Sequence, residues 1–278
     1  MYHSCNTEAI LRFEQHLKQE EKSEATIEKY LRDIRCFYVF LDNREISKNE
    51  TVAYKERLTA EYAPASVNSM LVALNCFLRF VGRLDCSVKL LKIQRQIFAR
   101  EDKELTKEEY RRLVRAADGT QLSYVIQTIC GTGIRVSELQ YITVEAVREG
   151  KAVVNCKNKT RVIFIPAPLQ KLLREYIKKS GVQAGSVFVS KNGKPLDRSS
   201  IWRKMKGLCE KAGVSAGKVF PHNLRHLFAR IFYSIDKDIV RLADLLGHSS
   251  VDTTRIYTME TGRQHIDRLE RVQMILLT

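Results

Sequence analysis

Apolar positions in the first hundred residues recur at steps of three and four. In SEATIEKYLRDIRCFYVFLD they are Ile27, Leu31, Ile34, Tyr38 and Leu41. In SVNSMLVALNCFLRFVG they are Val67, Leu71, Leu74, Leu78 and Val81. That spacing is the period of an α-helix with one buried face. Shorter helices are predicted over Glu8–Gln19 and Glu50–Thr59. Four helices joined by short links make a small bundle. Around Lys92–Lys103 the chain becomes charged and the period fades. This predicts a helical domain over residues 1–95, a linker over 96–104 and a second domain over 105–278.

The second domain opens with LTKEEYRRLVRAA, where Thr106 caps a helix and Glu109 reaches back to it. Two β-branched runs, AVVNC and RVIFIP, flank Lys157-Asn158-Lys159-Thr160 and predict a β-hairpin. Pro221 precedes HNLRHLFARIF, a helix start. A last amphipathic helix runs through Ile266, Leu269, Val272 and Leu276. The expected fold class is therefore mainly α with a small β-sheet, an all-helical domain followed by an α+β one.

Charge sharpens the picture. The 278 residues hold 47 Lys+Arg against 32 Asp+Glu, a formal net charge of +15. Residues 1–100 carry only 16 basic against 13 acidic groups, so most of the excess lies in the second domain. Lys151–Lys206 holds 14 basic residues opposed by Glu175 and Asp197 alone. A field that one-sided points to a polyanion, above all the phosphates of nucleic acid. The seven cysteines are odd in number and show no Cys-x-x-Cys spacing, which predicts reduced thiols in the cytoplasm. No apolar run approaches the ~20 residues that cross a bilayer, so no membrane partner is expected.

Three motifs carry candidate chemistry. GTGIRVSEL feeds Arg135 from a glycine-containing turn. HNLRH places His222 and Arg225 three apart, on one helical face. LGHSSVDTTRIYT supplies His248 and, nine positions later, Tyr257. His222 and His226 have the spacing of a zinc helix, but Asn223 stands where that motif needs glutamate, and no third ligand is evident. No metal and no cofactor are expected. No phosphate-binding Gly-x-x-x-x-Gly-Lys-Ser/Thr loop occurs either. Trp202 reads as a core residue, His226 as packing, and Arg230 and Arg241 as surface or phosphate-positioning groups.

In order and approximate spacing, TGIRVSEL, PHNLRH, LGHSS and TTRIYT resemble the tyrosine recombinases, the phage-integrase family, and most of all its compact Xer-type and transposon-integrase members. The resemblance implies a SAM-like core-binding domain followed by a catalytic domain whose last helix docks in a neighbouring protomer, with folding back onto its own domain as the alternative. It implies that Arg135 and Arg225 clamp the scissile phosphate, that His222 is the general acid/base, and that His248 bonds a phosphate oxygen. Tyr257 would be the nucleophile and Glu138 a supporting carboxylate. Lys157 would protonate the leaving 5′-hydroxyl. The hairpin is one residue shorter than the common Xer pattern, which leaves Lys159 as the alternative. Lys159 and Arg161 are otherwise expected to contact DNA.

The chemistry suits the residue types. Guanidiniums stay charged at physiological pH and present forked donors to a phosphodiester gaining negative charge. A phenol of ordinary pKa near 10 must shed its proton as it attacks, and a histidine can take it. The resulting 3′-phosphotyrosine preserves the ester for resealing without ATP. The partners implied are double-stranded DNA with inverted core sites and a homotetramer on that DNA, with or without a related recombinase. The absence of an extra small domain before the bundle is expected, and with it action on short core sites. A type IB topoisomerase-like relaxation enzyme and a non-catalytic DNA-binding protein are the alternatives.

Overall fold

The computed structural model describes residues 2–93, 101–156, 159–248, 250–258 and 262–276. The chain divides into two compact units between Arg95 and Gln96. The expected linker 96–104 falls partly outside the described residues, and its described part holds one 3-10 turn, Glu101–Lys103.

Four helices build the first unit: α1 (Tyr2–Gln19), α2 (Glu24–Leu41), α3 (Lys48–Glu61) and α4 (Pro64–Phe80). α1 begins earlier than its apolar pattern, and α3 starts at the Ser47 cap, whose hydroxyl accepts from the Glu50 N–H at 3.3 Å. Ile27, Leu31, Ile34 and Leu41 of α2 are buried against Val67, Leu71, Leu74 and Leu78 of α4. Phe37 and Phe77 are buried as well, so each apolar face is wider than the simple period. Tyr38 and Val81 are only half-buried. Lys29 links the two helices, donating to buried Asp33 at 2.6 Å and to the Ser69 carbonyl at 3.0 Å.

After a 3-10 turn at Leu84–Cys86 the chain runs extended along α4. Asn75 donates to the Val88 carbonyl at 2.8 Å and accepts from the Val88 N–H at 2.9 Å. Asn68 does the same with Leu91, at 2.9 and 2.7 Å. Two amides one heptad apart thus satisfy backbone groups that no strand partners.

In the second unit α5 (Lys107–Ala116) carries the expected capping box, with both hydrogen bonds formed at 2.8 and 3.1 Å. α6 (Gln121–Thr132) leads to a 3-10 helix, Val136–Tyr141, and to α7 (Val144–Glu149). β1 (Lys151–Cys156) and β2 (Lys159–Phe164) pair antiparallel, Cys156 opposite Lys159. Pairing therefore extends closer to the turn than expected. It also ends before Ile165 and Pro166, since proline has no N–H for a ladder. α8 (Ala167–Ser180), α9 (Arg198–Lys206) and α10 (Cys209–Ala212) follow. α11 (Pro221–Asp236) starts at its proline, and α12 (Ile239–Leu246), α13 (Val251–Thr254), a 3-10 turn at Arg255–Tyr257 and α14 (Gly262–Leu276) complete the unit. The fold is thus mainly helical, with one two-stranded sheet among the described residues.

The buried face of α6, with Val125, Ile126 and Ile129, packs with Leu224 and Leu227 of α11 in the main core of this unit. A separate cluster joins Ala229 of α11 to Leu242 and Leu246 of α12 and to Tyr257. No described helix is long and apolar enough to cross a membrane.

Candidate active site

The site forms where the α6–α11 pair meets the C-terminal end of α12. Arg225, on the inner face of α11, is 1 % exposed. Its guanidinium donates to the Gly133 carbonyl at 2.6 Å and the Leu246 carbonyl at 2.7 Å. It also reaches His248 Nε2 at 3.0 Å. Burial, then the neighbouring Arg135, pushes its pKa down to about 10, and it stays charged at neutral pH.

Arg135 follows Gly133, the left-handed cap of α6. It donates to Glu138 at 2.9 Å and to the Gly247 carbonyl at 3.2 Å. Arg161 of β2 donates to the Leu245 carbonyl and, at 2.5 Å, to the other oxygen of Glu138. Three successive carbonyls, Leu245, Leu246 and Gly247, therefore hold three arginines. The negative end of the α12 dipole and its orphan carbonyls suit cations at this point. Glu138 is 1 % exposed. Its burial works to raise the carboxyl pKa, but the Arg135 N–H and the Arg161 guanidinium outweigh this and hold it below the ordinary range. Two guanidiniums on the Glu138 carboxylate, with Arg225 held beside them on backbone carbonyls, leave the cluster two positive charges in excess.

Tyr257 is 3 % exposed. It lies close enough to Arg225 to interact with the guanidinium electrostatically. Its ring stands edge-on to His226, with centroids 4.7 Å apart, and stacks on His248 at 5.9 Å. His226 in turn meets His222 edge-on at 4.6 Å. His248 Nδ1 lies 2.8 Å from the hydroxyl of Thr254, which is fully buried. Burial, followed by Arg225 and Arg135, lowers the His248 pKa to about 4. Burial, followed by His222 and Arg225, lowers that of His226 to about 4. His222 is shifted the same way by burial, Arg225, Arg135 and Arg198.

His222, Arg135 and Arg225 open onto one cleft of about 370 Å3, also lined by Arg198 and Trp202. Trp202 is 48 % exposed, contrary to the expected core placement. α9 buries Ile201 and Met205, four apart, and that stripe turns position 202 outward, beside the Lys206 ammonium at 5.3 Å. Arg161 also differs from expectation, because its side chain is only 14 % exposed and is committed to Glu138 and α12. Arg230 pairs with Glu104, and Arg241 with Asp236 at 3.1 Å. Lys157 lies outside the described residues, as does the Lys159 side chain. Asn223 spans the Lys103 and Lys218 carbonyls at 2.7 and 2.8 Å, tying down the first turn of α11. Among the described residues no three metal-ligating side chains converge.

A model of the phage integrase family matches residues 103–263, and one of the N-terminal SAM-like domain of phage integrases matches residues 10–83. The chain belongs to the phage integrase family. Similar curated proteins are tyrosine recombinases. XerA of Pyrococcus furiosus is 29% identical, over 98% of this chain and 96% of its own. XerC of Lactobacillus delbrueckii subsp. bulgaricus is 27% identical, over 91% and 94%. A crystal structure of XerA recombinase covers 96% of this chain and 98% of that one at 27% identity, with a TM-score of 0.54. A lambda integrase dimer bound to a core site shares the fold, with a TM-score of 0.74 at 20% identity over 92% of this chain and 96% of that one. As a phage integrase family member the chain is a site-specific tyrosine recombinase, a DNA strand-exchange enzyme.

Two consequences of this geometry are measurable. Gly133 has φ +67°, and a Cβ there would lie 2.4 Å from the Phe228 ring and 3.1 Å from Leu246. Gly133→Ala combines left-handed backbone strain with overpacking, for a stability loss of about 2–4 kcal/mol in urea unfolding. The same substitution moves the carbonyl that holds Arg225, so DNA cleavage falls with it. Loss of stability with full cleavage would show that Arg225 does not depend on this turn.

The second concerns pH. His226 and His248 have folded pKa values of about 4, below the ordinary 6.5. The unfolded chain then takes up protons that the folded chain refuses. Their contribution to stability is complete above about pH 6.5 and is lost as pH falls towards 4. Discounted for partial exposure, it amounts to on the order of 1–2 kcal/mol. Urea midpoints should fall between pH 7 and 5, and a double His226→Gln, His248→Gln protein should show a flatter profile.

Proposed function

We propose that the chain cuts and rejoins duplex DNA at inverted core sites, with Tyr257 as nucleophile. The carrying observation is the cluster of three arginines, one carboxylate and a tyrosine that stacks on the histidine held by the most buried arginine. Such a cluster has excess positive charge and forked donors, which suit a phosphodiester. The Tyr257 oxygen attacks phosphorus, the bond to the 5′-oxygen breaks, and a 3′-phosphotyrosine forms. His222, at the mouth of the cleft, takes the phenol proton. Lys157, or Lys159 in its place, returns a proton to the leaving 5′-oxygen. Arg135, Arg225 and His248 hold the nonbridging oxygens, and Glu138 with Arg161 keeps Arg135 oriented. A 5′-hydroxyl from another strand reverses the step and reseals the DNA. No nucleotide hydrolysis is needed, because the ester is exchanged rather than lost.

The active unit in this reading is a homotetramer on two DNA sites in the cytoplasm. Ile266, Leu269, Val272 and Leu276 of α14 are all more than half exposed or nearly so, the lowest at 50%. An apolar groove lined by Phe232, Ile235 and Leu245, rimmed by Asp236 and Arg241, is open on α11 and α12. Docking α14 of one protomer into this groove on the next would cover both surfaces and link the Tyr257 segment to assembly. A chain truncated after Thr258 should bind DNA without recombining. Normal recombination by that truncation would remove the exchange.

The function is tested with a library of nicked duplexes, in which loss of the short fragment traps the covalent intermediate. Protein-linked DNA recovered under denaturing conditions, with the modified peptide mapped to Tyr257, is the expected result. A supercoil-relaxation assay run beside it separates recombination from relaxation alone.

A further inference from the structure

We propose that the Thr254 hydroxyl sets which nitrogen of His248 carries the proton, and so lets this histidine turn from acceptor to donor when a phosphate arrives. The inference rests on the recombinase reading only in taking the incoming anion for a DNA phosphate.

The argument begins with hydrogen-bond inventory. A guanidinium has donors and no acceptor. The 3.0 Å contact between Arg225 and His248 Nε2 therefore makes Nε2 the acceptor in the resting site. A neutral imidazole then carries its proton on Nδ1, which donates to Thr254 Oγ1 at 2.8 Å. A phosphate oxygen is an acceptor only. When it takes over the Arg225 N–H, the Nε2 lone pair is left facing an anion.

Two remedies exist. One is a second proton, giving imidazolium. Burial opposes it first, and Arg225 of α11, Arg135 after α6, Arg161 of β2 and His222 of α11 add to that opposition. The ring of Tyr257 covers one face and supplies no carboxylate. The other remedy moves the proton from Nδ1 to Nε2 through solvent, with no change of net charge. Nδ1 then needs a donor, and a hydroxyl provides one by rotating about a single bond. Thr254 is fully buried at the end of α13, three residues before Tyr257. The same hydroxyl thus serves both tautomers and ties the His248 ring to the segment that carries the nucleophile. Thr254 acts through His248 and is a positioning residue.

The test uses the full chain with labelled histidine and inorganic sulfate as the anion, because sulfate does not titrate between pH 6 and 8. Histidine ring carbon and nitrogen shifts report the tautomer. His248 is expected as the Nδ1–H form without sulfate and the neutral Nε2–H form with it. Sulfate affinity should be nearly flat from pH 6 to 8 in the parent and in Thr254→Ser. Thr254→Val leaves Nδ1 without a partner, so a proton there would be an unsatisfied buried donor, and His248 should carry its proton on Nε2 with or without sulfate. A purely structural loss would weaken sulfate binding without changing the resting tautomer. His248 keeping its proton on Nδ1 throughout the sulfate titration would overturn the proposal, as would an Nδ1–H resting form in Thr254→Val. The parent readout needs no variant to fold. The recombinase reading stands or falls separately, on covalent DNA capture.

Discussion

A Tyr257→Phe protein is expected to bind duplex DNA within about threefold of the parent and to form no covalent adduct. The change removes one oxygen from a ring that is 3 % exposed and packed with Ala229, Leu242 and Leu246. Phenylalanine fills that space, so the cluster survives. The interaction at stake is the electrostatic one with Arg225, which retains the Gly133 and Leu246 carbonyls and His248. Even the loss of a full hydrogen bond would cost about 0.5–1.5 kcal/mol of stability, far from enough to unfold the domain. Transesterification has no such reserve, because no atom remains to attack phosphorus. The measurement pairs a binding titration with denaturing capture of nicked duplexes. An adduct formed at the parent rate by the phenylalanine protein would place the nucleophile elsewhere.

Arg225→Lys is expected to reduce cleavage by about a thousandfold or more, although it conserves charge. Removing one preorganised donor to developing oxyanion charge typically costs 10²- to 10³-fold. Here one guanidinium spans two carbonyls and a histidine nitrogen with two of its nitrogens. An ammonium is a point charge on a flexible stem and cannot reproduce a planar fork. At least one buried carbonyl is left unpaired, at about 1–3 kcal/mol. The expected signature is therefore double, a lower urea midpoint together with a single-turnover rate that falls far more than stability explains. Cleavage within tenfold of the parent would mean that Arg225 is a structural strut rather than a phosphate ligand.

The two effects differ because the residues sit differently in the network. Tyr257 is an end point, touched by Arg225, His226 and His248 but supporting none of the carbonyl contacts. Arg225 is a junction between the α6 cap, the end of α12 and the histidine. This is also why Gly133, which makes no contact with substrate in the proposed mechanism, should be sensitive to a single methyl group.

Much of this was readable in order along the chain. The helical period of α2 and α4, the Thr106–Glu109 cap, the hairpin and the start of α11 at Pro221 are local patterns, and each element formed where its pattern lies or within a few residues. Arg135, His222, Arg225, His248 and Tyr257 were legible as motifs, and folding brings them into one neighbourhood. Trp202 was misread because two aliphatic neighbours four apart claimed the buried face of α9. Arg161 looked like a surface contact within a basic run, yet Glu138, 23 positions away, draws it inward.

What residue types and their periods settle is the class of fold and the inventory of charged and nucleophilic groups, since helix faces and capping pairs depend on neighbours within a turn or two. The working arrangement of those groups has a different origin. Leu245, Leu246 and Gly247 hold three arginines through backbone carbonyls, which every residue possesses and which no side-chain motif can advertise. The proton position on His248 likewise depends on a guanidinium 23 residues away. Contacts of that kind exist only once long-range packing has aimed a helix end at the site, so folding in three dimensions had to supply them.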